Sequence, residues 1–131
     1  MSSASSAPAS SKIMVWSGRI LSALIVILMV AGGGFKTTKP KEIVDGFQKF
    51  GYPESSIVPI GITEIACGVL YAIPQTSVLG AILVTGYLGG ATATHVIGGE
   101  SVIPPVLIGM VAWLGLFLRD ARIRALIPLK R

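Results

Sequence analysis

Charged residues make up only 13% of this 131-residue chain, roughly half the 25% usual in soluble domains. That is too little polar material to cover a water-facing surface, so lipid is the expected solvent. Histidine and cysteine occur once each. The lone cysteine, Cys67, cannot close an internal disulfide. Without a C-x-x-C pair, thiol–disulfide exchange by this chain alone is excluded. One histidine cannot supply a bis-histidine haem site, and no cluster with metal-ligand spacing is present. A Walker A loop, a G-x-G-x-x-G after a strand and an H-E-x-x-H are all missing. Aromatics are few, at 7%. No basic surface element carries interleaved aromatics, so nucleic acid is not an expected partner.

What is present is aliphatic. Hydrophobic residues account for 52% of the chain, and the mean hydropathy is +0.76. Four spans of about 20 residues would use about 80 positions, which leaves short loops and tails and no room for a large extramembrane catalytic domain. The net charge is +5, and five of the eleven basic residues (Arg119, Arg122, Arg124, Lys130, Arg131) fall in the last thirteen positions. Lys36, Lys39, Lys41 and Lys49 share one polar interval, and Lys12 and Arg19 stand near the start. Basic clusters beside apolar runs are what anionic headgroups and membrane insertion select.

Residues 1–12 are mostly Ser, Ala and Pro, a composition that predicts a disordered tail. A first span is expected over 13–34, with Arg19 its only charge. A cleavable signal peptide is the rival reading, with Lys12 as the basic region and Ala31-Gly32-Gly33 as the small-residue site. In the following loop Ile43, Val44, Phe47 and Phe50 recur at i, i+1, i+4 and i+7. That spacing predicts a short amphipathic helix at the membrane surface, opened by Pro40 and ended by Gly51-Tyr52-Pro53. From Ser55 to Gly99 the only formal charge is Glu64. Pro74-Gln75-Thr76-Ser77 must break this stretch, giving helices near 57–73 and 78–97. Gly98-Gly99-Glu100-Ser101 makes the next turn, and Pro104 and Pro105 fit the first turn of a last helix near 102–118. Residues 119–131 form a basic tail, expected at the interface. The predicted fold is an all-α membrane protein, a four-transmembrane-helix bundle over 13–118 with a short amphipathic helix in its first loop. Four spans put both termini on one side, with six basic residues against four in the long loop, so cytoplasmic termini are expected.

Glu64 is the most informative residue. A carboxylate inside a membrane helix is costly and faces the bundle interior or a water-filled cavity. Gly61 and Gly68, at i−3 and i+4, make a small face where another helix can approach. Arg19 is the candidate partner, offset from Glu64 by about 5 Å in depth; alternatively it snorkels to the headgroups. Thr85, Leu88, Thr92 and His95 recur along one helix, flanked by Tyr87 and Ala91. Such a stripe could bind a quinone carbonyl or relay a proton, or His95 could be a structural interface histidine. Gly86-x-x-x-Gly90 has small-xxx-small spacing, expected to serve packing within the bundle and, as a weaker signal, a homo-oligomer. Trp16 and Trp113 sit where membrane-interface aromatics are common. The ligand-binding set is therefore Arg19, Glu64, Tyr87, Thr92 and His95, with no catalytic or metal-ligating residue assigned.

Residues 73–95 read IPQTSVLGAILVTGYLGGATATH. This stretch, with Phe50-Gly51-Tyr52-Pro53 and the opening Gly18-Arg19-Ile20-Leu21, resembles the DoxX-like family of small bacterial membrane proteins. The likeness covers nearly all of 16–118, and Thr85-Gly86-Tyr87-Leu88-Gly89-Gly90 followed by His95 is its most specific part. The resemblance implies a four-helix bundle in the bacterial cytoplasmic (inner) membrane. It also implies association with membrane redox complexes, because wider relatives serve as small subunits of a thiosulfate:quinone oxidoreductase. Three functions follow, in order of expectation. The first is a non-catalytic anchor or accessory subunit of a membrane-associated oxidoreductase, the second a quinone or small-lipophile binding protein, and the third a small proton-coupled transporter.

Overall fold

The computed structural model describes residues 11–130. Most of the expected N-terminal tail and Arg131 lie outside them, whereas Ser11 and Lys12 open the first helix. That helix, α1 (Lys12–Thr37), begins on the Ser11 side chain, which accepts from the Met14 amide at 3.0 Å. The bond satisfies one of the free donors of the first turn. Its 26 residues make a rod of about 39 Å, longer than the roughly 30 Å of a bilayer core. It therefore runs three residues past the expected end, through Gly32-Gly33-Gly34.

A short amphipathic helix, α2 (Lys41–Lys49), follows Pro40. It ends where Gly51, at φ +84°, lets Gly51 and Tyr52 donate back to the Gln48 and Phe47 carbonyls at 3.0 and 2.9 Å. This left-handed cap is one that glycine adopts without steric cost. The chain then forms α3 (Ile57–Ala72), a tight turn at Pro74–Thr76, α4 (Ser77–Ile97) and α5 (Ile103–Arg119), whose first turn holds Pro104 and Pro105. No strand occurs among the described residues.

The four long helices form a closed ring. α1 packs on α3 and α5, and α4 packs on the same two. Ile25, Met29, Cys67, Tyr71, Val84, Ala112 and Leu116 fill the centre. Ile20, Leu24, Ile27, Ile62, Ile82, Leu107 and Met110 point outward. Such an apolar exterior is stable in lipid and not in water. α1, Glu54–Ala72 and Pro74–Ile97 are long and apolar enough to cross a membrane, while α5 is shorter, at 17 residues.

Glycines set the closest approaches. A Cβ on Gly61 would lie 2.7 Å from the Gly33 carbonyl oxygen, and one on Gly68 would lie 2.9 Å from Met29 Cβ. These contacts fix the register of α1 against α3. One polar hub lies at the centre: the fully buried Tyr71 hydroxyl donates to the Ala112 carbonyl and sits 3.1 Å from Ser22 Oγ. A carbonyl only accepts, so Tyr71 spends its proton there and Ser22 donates to Tyr71. The hub ties α3 to α5 and α1. Tyr71→Phe strands Ser22 Oγ, and we expect a loss of about 1–2 kcal/mol, read by thermal unfolding in detergent. An unchanged unfolding temperature would remove the hub from the account.

One expectation changes here. Trp113 lies in the middle of α5, not near an end, and its Nε1 donates to Thr85 Oγ1 at 2.7 Å, tying α5 to α4. The C-terminal tail is also partly built in. A single turn, α6 (Ala121–Arg124), buries Ile123 and brings Arg124 under the end of α5, where it donates to the Phe117 and Leu118 carbonyls at 2.8 and 2.9 Å. A cation at a helix C-terminus meets both free carbonyls and the negative end of the dipole. Asp120 caps the turn. Burial pushes its carboxyl upward, but hydrogen bonds from the Arg122 side chain and amide outweigh this and hold it below the usual carboxylate range.

Candidate functional site

Glu64 lies one turn from Gly61 and Gly68, on the face of α3 that meets α1, and is only 6% exposed. Its Oε1 accepts from Lys36 Nζ at 2.7 Å and from the Tyr87 hydroxyl at 2.7 Å. Its Oε2 rests against Gly32, where a Cβ would stand 2.8 Å away. Three elements thus cooperate. α3 supplies the carboxylate, α1 supplies a glycine that makes room and a lysine one turn later, and α4 supplies a phenol. A carboxylate held by a cation and a neutral donor is how an ionised group survives burial.

The cation is Lys36, not Arg19. Gly33 faces Gly61 and Met29 faces Gly68, so Glu64 is level with Gly32. Arg19 lies thirteen residues earlier, about 20 Å along the axis. The expected 5 Å offset aligned the start of α1 with the end of α3, whereas α1 overhangs. Arg19 is exposed, its guanidinium 5.0 Å over the Trp16 ring, an arrangement suited to the headgroup level. Lys36 escapes sequence reading because three consecutive glycines look like the end of a helix. Here Gly32 and Gly33 are the surface on which α3 packs, and Gly34 faces open space.

Beside this network lies a cavity of about 500 Å³ between α2 and the bundle. Ile43, Phe47 and Phe50 line it from α2, and Ile60, Gly86, Gly90 and Ala91 line it from α3 and α4. Lys36 and Tyr87 reach its wall, Glu42 belongs to its α2 side, and Tyr52, Thr94 and His95 complete it. The apolar face of α2, expected to lie on a membrane surface, thus faces a cavity. α2 is tied down around its ends by Lys39–Glu54 at 2.7 Å, Lys49–Glu100 at 3.0 Å, and Phe50 against Gly98. A volume of this size with an apolar lining and a few polar groups is the usual form of a small-molecule site.

The Thr/Tyr/His stripe divides. Tyr87 and His95 line the cavity, but Thr92 is about 140° around the helix from Tyr87. Thr92 bonds to the Leu88 carbonyl and lines a second apolar groove with Thr85, Met110 and Trp113, between α4 and α5. His95 Nδ1 is 2.7 Å from the Ala91 carbonyl. That carbonyl only accepts, so Nδ1 carries a proton and donates it there. Tyr52 and Thr94 share a 2.6 Å hydroxyl contact. Gly86 and Gly90 do not pack helices together within the chain: a Cβ at either meets nothing within 4 Å, and both border the cavity. Close approach on α4 falls to Gly80 instead, where a Cβ would strike the Tyr71 backbone.

Apolar helices with a lipid-like exterior, packed around a buried charge pair beside a cavity, define a helical membrane protein. The sequence profile of the DoxX-like family matches residues 20–115, and the chain belongs to that family. Neither a curated protein nor a solved structure matches it.

Proposed function

We propose that this chain is a four-span membrane protein that binds a small lipophilic molecule of quinone size between α2 and α4. The observation that carries this reading is the cavity, apolar over most of its lining and furnished at its wall with the Lys36–Glu64–Tyr87 network. A molecule dissolved in the bilayer would lay its apolar body among Phe47, Phe50 and Ile60 and turn its polar end to Lys36 or His95. α5, at 17 residues, reaches the lower limit for crossing and completes four spans. The end carrying Lys12, Arg19, Arg119, Arg122, Arg124 and Lys130 faces the cytoplasm of a bacterial cell by the positive-inside rule. The pocket offers binding groups, and we assign any redox chemistry of the bound molecule to a partner oxidoreductase that this subunit would anchor or supply. Proton-coupled transport is less well supported, because Glu64 stands behind the cavity wall, tied to two donors.

Gly90→Leu tests the pocket. Open space at Gly90 lets the larger side chain enter the cavity without striking the protein, so the variant is expected to fold. Native mass spectrometry of gently extracted protein should find a bound small molecule on the wild type and none on Gly90→Leu. Equal occupancy of both would reject the cavity as the binding site.

A further inference from the structure

We infer that the cavity selects neutral lipophiles bearing a hydrogen-bond acceptor over anions of the same shape, with Lys36 as the residue that recognises the acceptor; this rests on the ligand-binding reading above. The donors around the cavity lead to it. Tyr87 donates its proton to Glu64, Thr94 donates to the Gly90 carbonyl, Tyr52 then donates to Thr94 Oγ1, and His95 Nδ1 donates to the Ala91 carbonyl. The Lys36 ammonium has three N–H groups and gives one to Glu64. It lines the cavity and is the side chain there with donors to spare.

Charge decides what those donors accept. Glu64 neutralises Lys36 from behind the wall, and Glu42 adds a negative group on the α2 side. An anion entering this apolar space would lose its hydration and find no uncompensated positive charge, a costly transfer. A cation would meet the ammonium itself. A neutral carbonyl loses little hydration and gains a charge-assisted hydrogen bond. Selectivity is thus set by a carboxylate that does not line the pocket.

Methyl laurate and laurate, which share an acyl chain and differ in charge, test this in phosphatidylcholine nanodiscs at about pH 8, where the free acid is ionised. Occupancy is read by native mass spectrometry against probe concentration. The wild type should fill with methyl laurate at a concentration at least about tenfold lower than with laurate. Glu64→Gln keeps an oxygen that accepts from Lys36 and Tyr87 but removes the counter-charge, and it should shift the preference toward laurate by about tenfold or more. The double variant Lys36→Met/Glu64→Gln, which removes both charges of the pair beside the cavity, should lose the methyl laurate site without gaining laurate. A wild type that prefers laurate, or a Glu64→Gln preference that does not move, overturns the selectivity inference and leaves the cavity reading intact. Failure of both probes to bind the wild type overturns the cavity reading and this inference with it.

Discussion

Lys36→Met should destabilise the folded protein by about 3 kcal/mol, and adding Glu64→Gln should recover most of that loss. The asymmetry follows from where the charges sit. Glu64 is nearly inaccessible, with 7% of its side chain exposed, and the Lys36 side chain keeps 20%. Removing the lysine leaves a carboxylate in an apolar interior with only the Tyr87 hydroxyl to hold it. Breaking a buried pair costs roughly 3–5 kcal/mol, whereas replacing both members by neutral groups is often nearly harmless. The residual exposure of Lys36 puts the expected value at the lower end. Thermal unfolding of the three proteins in one detergent checks it. Equal losses in the single and double variants would mean that Lys36 acts through packing alone and that Glu64 is not held as an ion. Arg19→Met is the matched control. Arg19 touches Trp16 and lies far from Glu64, so a change below about 1 kcal/mol is expected.

Gly80→Ala should cost about 3 kcal/mol although it adds only a methyl group. Its Cβ would fall on the backbone nitrogen and Cα of Tyr71 and close to the Leu70 carbonyl carbon. Backbone cannot move aside as the end of a flexible side chain can, so the helices must separate next to the turn at Pro74–Thr76. Over-packing costs about 1–3 kcal/mol and occasionally more. The 0.5–1 kcal/mol that alanine gains over glycine within a helix cannot offset it. Any shift of Tyr71 also strains its bonds to Ala112 and Ser22. Gly86→Ala and Gly90→Ala, where the added atom meets open space, should be neutral or slightly stabilising. A folded yield and unfolding temperature for Gly80→Ala matching those controls would contradict the packing assigned to α3 and α4.

The contrast between Gly80 and Gly90 shows what could be read in advance. Helix boundaries are local: Pro74 and the polar residues after it can only interrupt a helix, and Ile43, Val44, Phe47 and Phe50 can only share a face. The turn and α2 were accordingly legible, as was the likeness to the DoxX-like family. Which glycine meets a neighbour depends on register between helices, and spacing within one helix does not encode register. Gly86-x-x-x-Gly90 therefore looked like a packing motif and is the border of a cavity. The same gap hid Lys36. That Glu64 needs a partner follows from physics alone, but the partner follows from how far α1 slides past α3, which the Gly33–Gly61 contact determines. Tyr87 and His95 stood out because polar groups are rare in an apolar helix. Thr92 stood out equally and faces the other groove.

The most direct measurement is photolabelling of the wild-type protein in nanodiscs with a short-tailed benzoquinone carrying a diazirine, followed by mapping of the labelled residues. Binding between α2 and α4 predicts label on the peptides holding Ile43, Phe47 and Phe50 and on those holding Gly86, Gly90 and Ala91, with both signals lost in Gly90→Leu. Label concentrated on Met110 and Trp113 in the α4–α5 groove, or spread evenly over the lipid-facing surface and indifferent to Gly90→Leu, would contradict it.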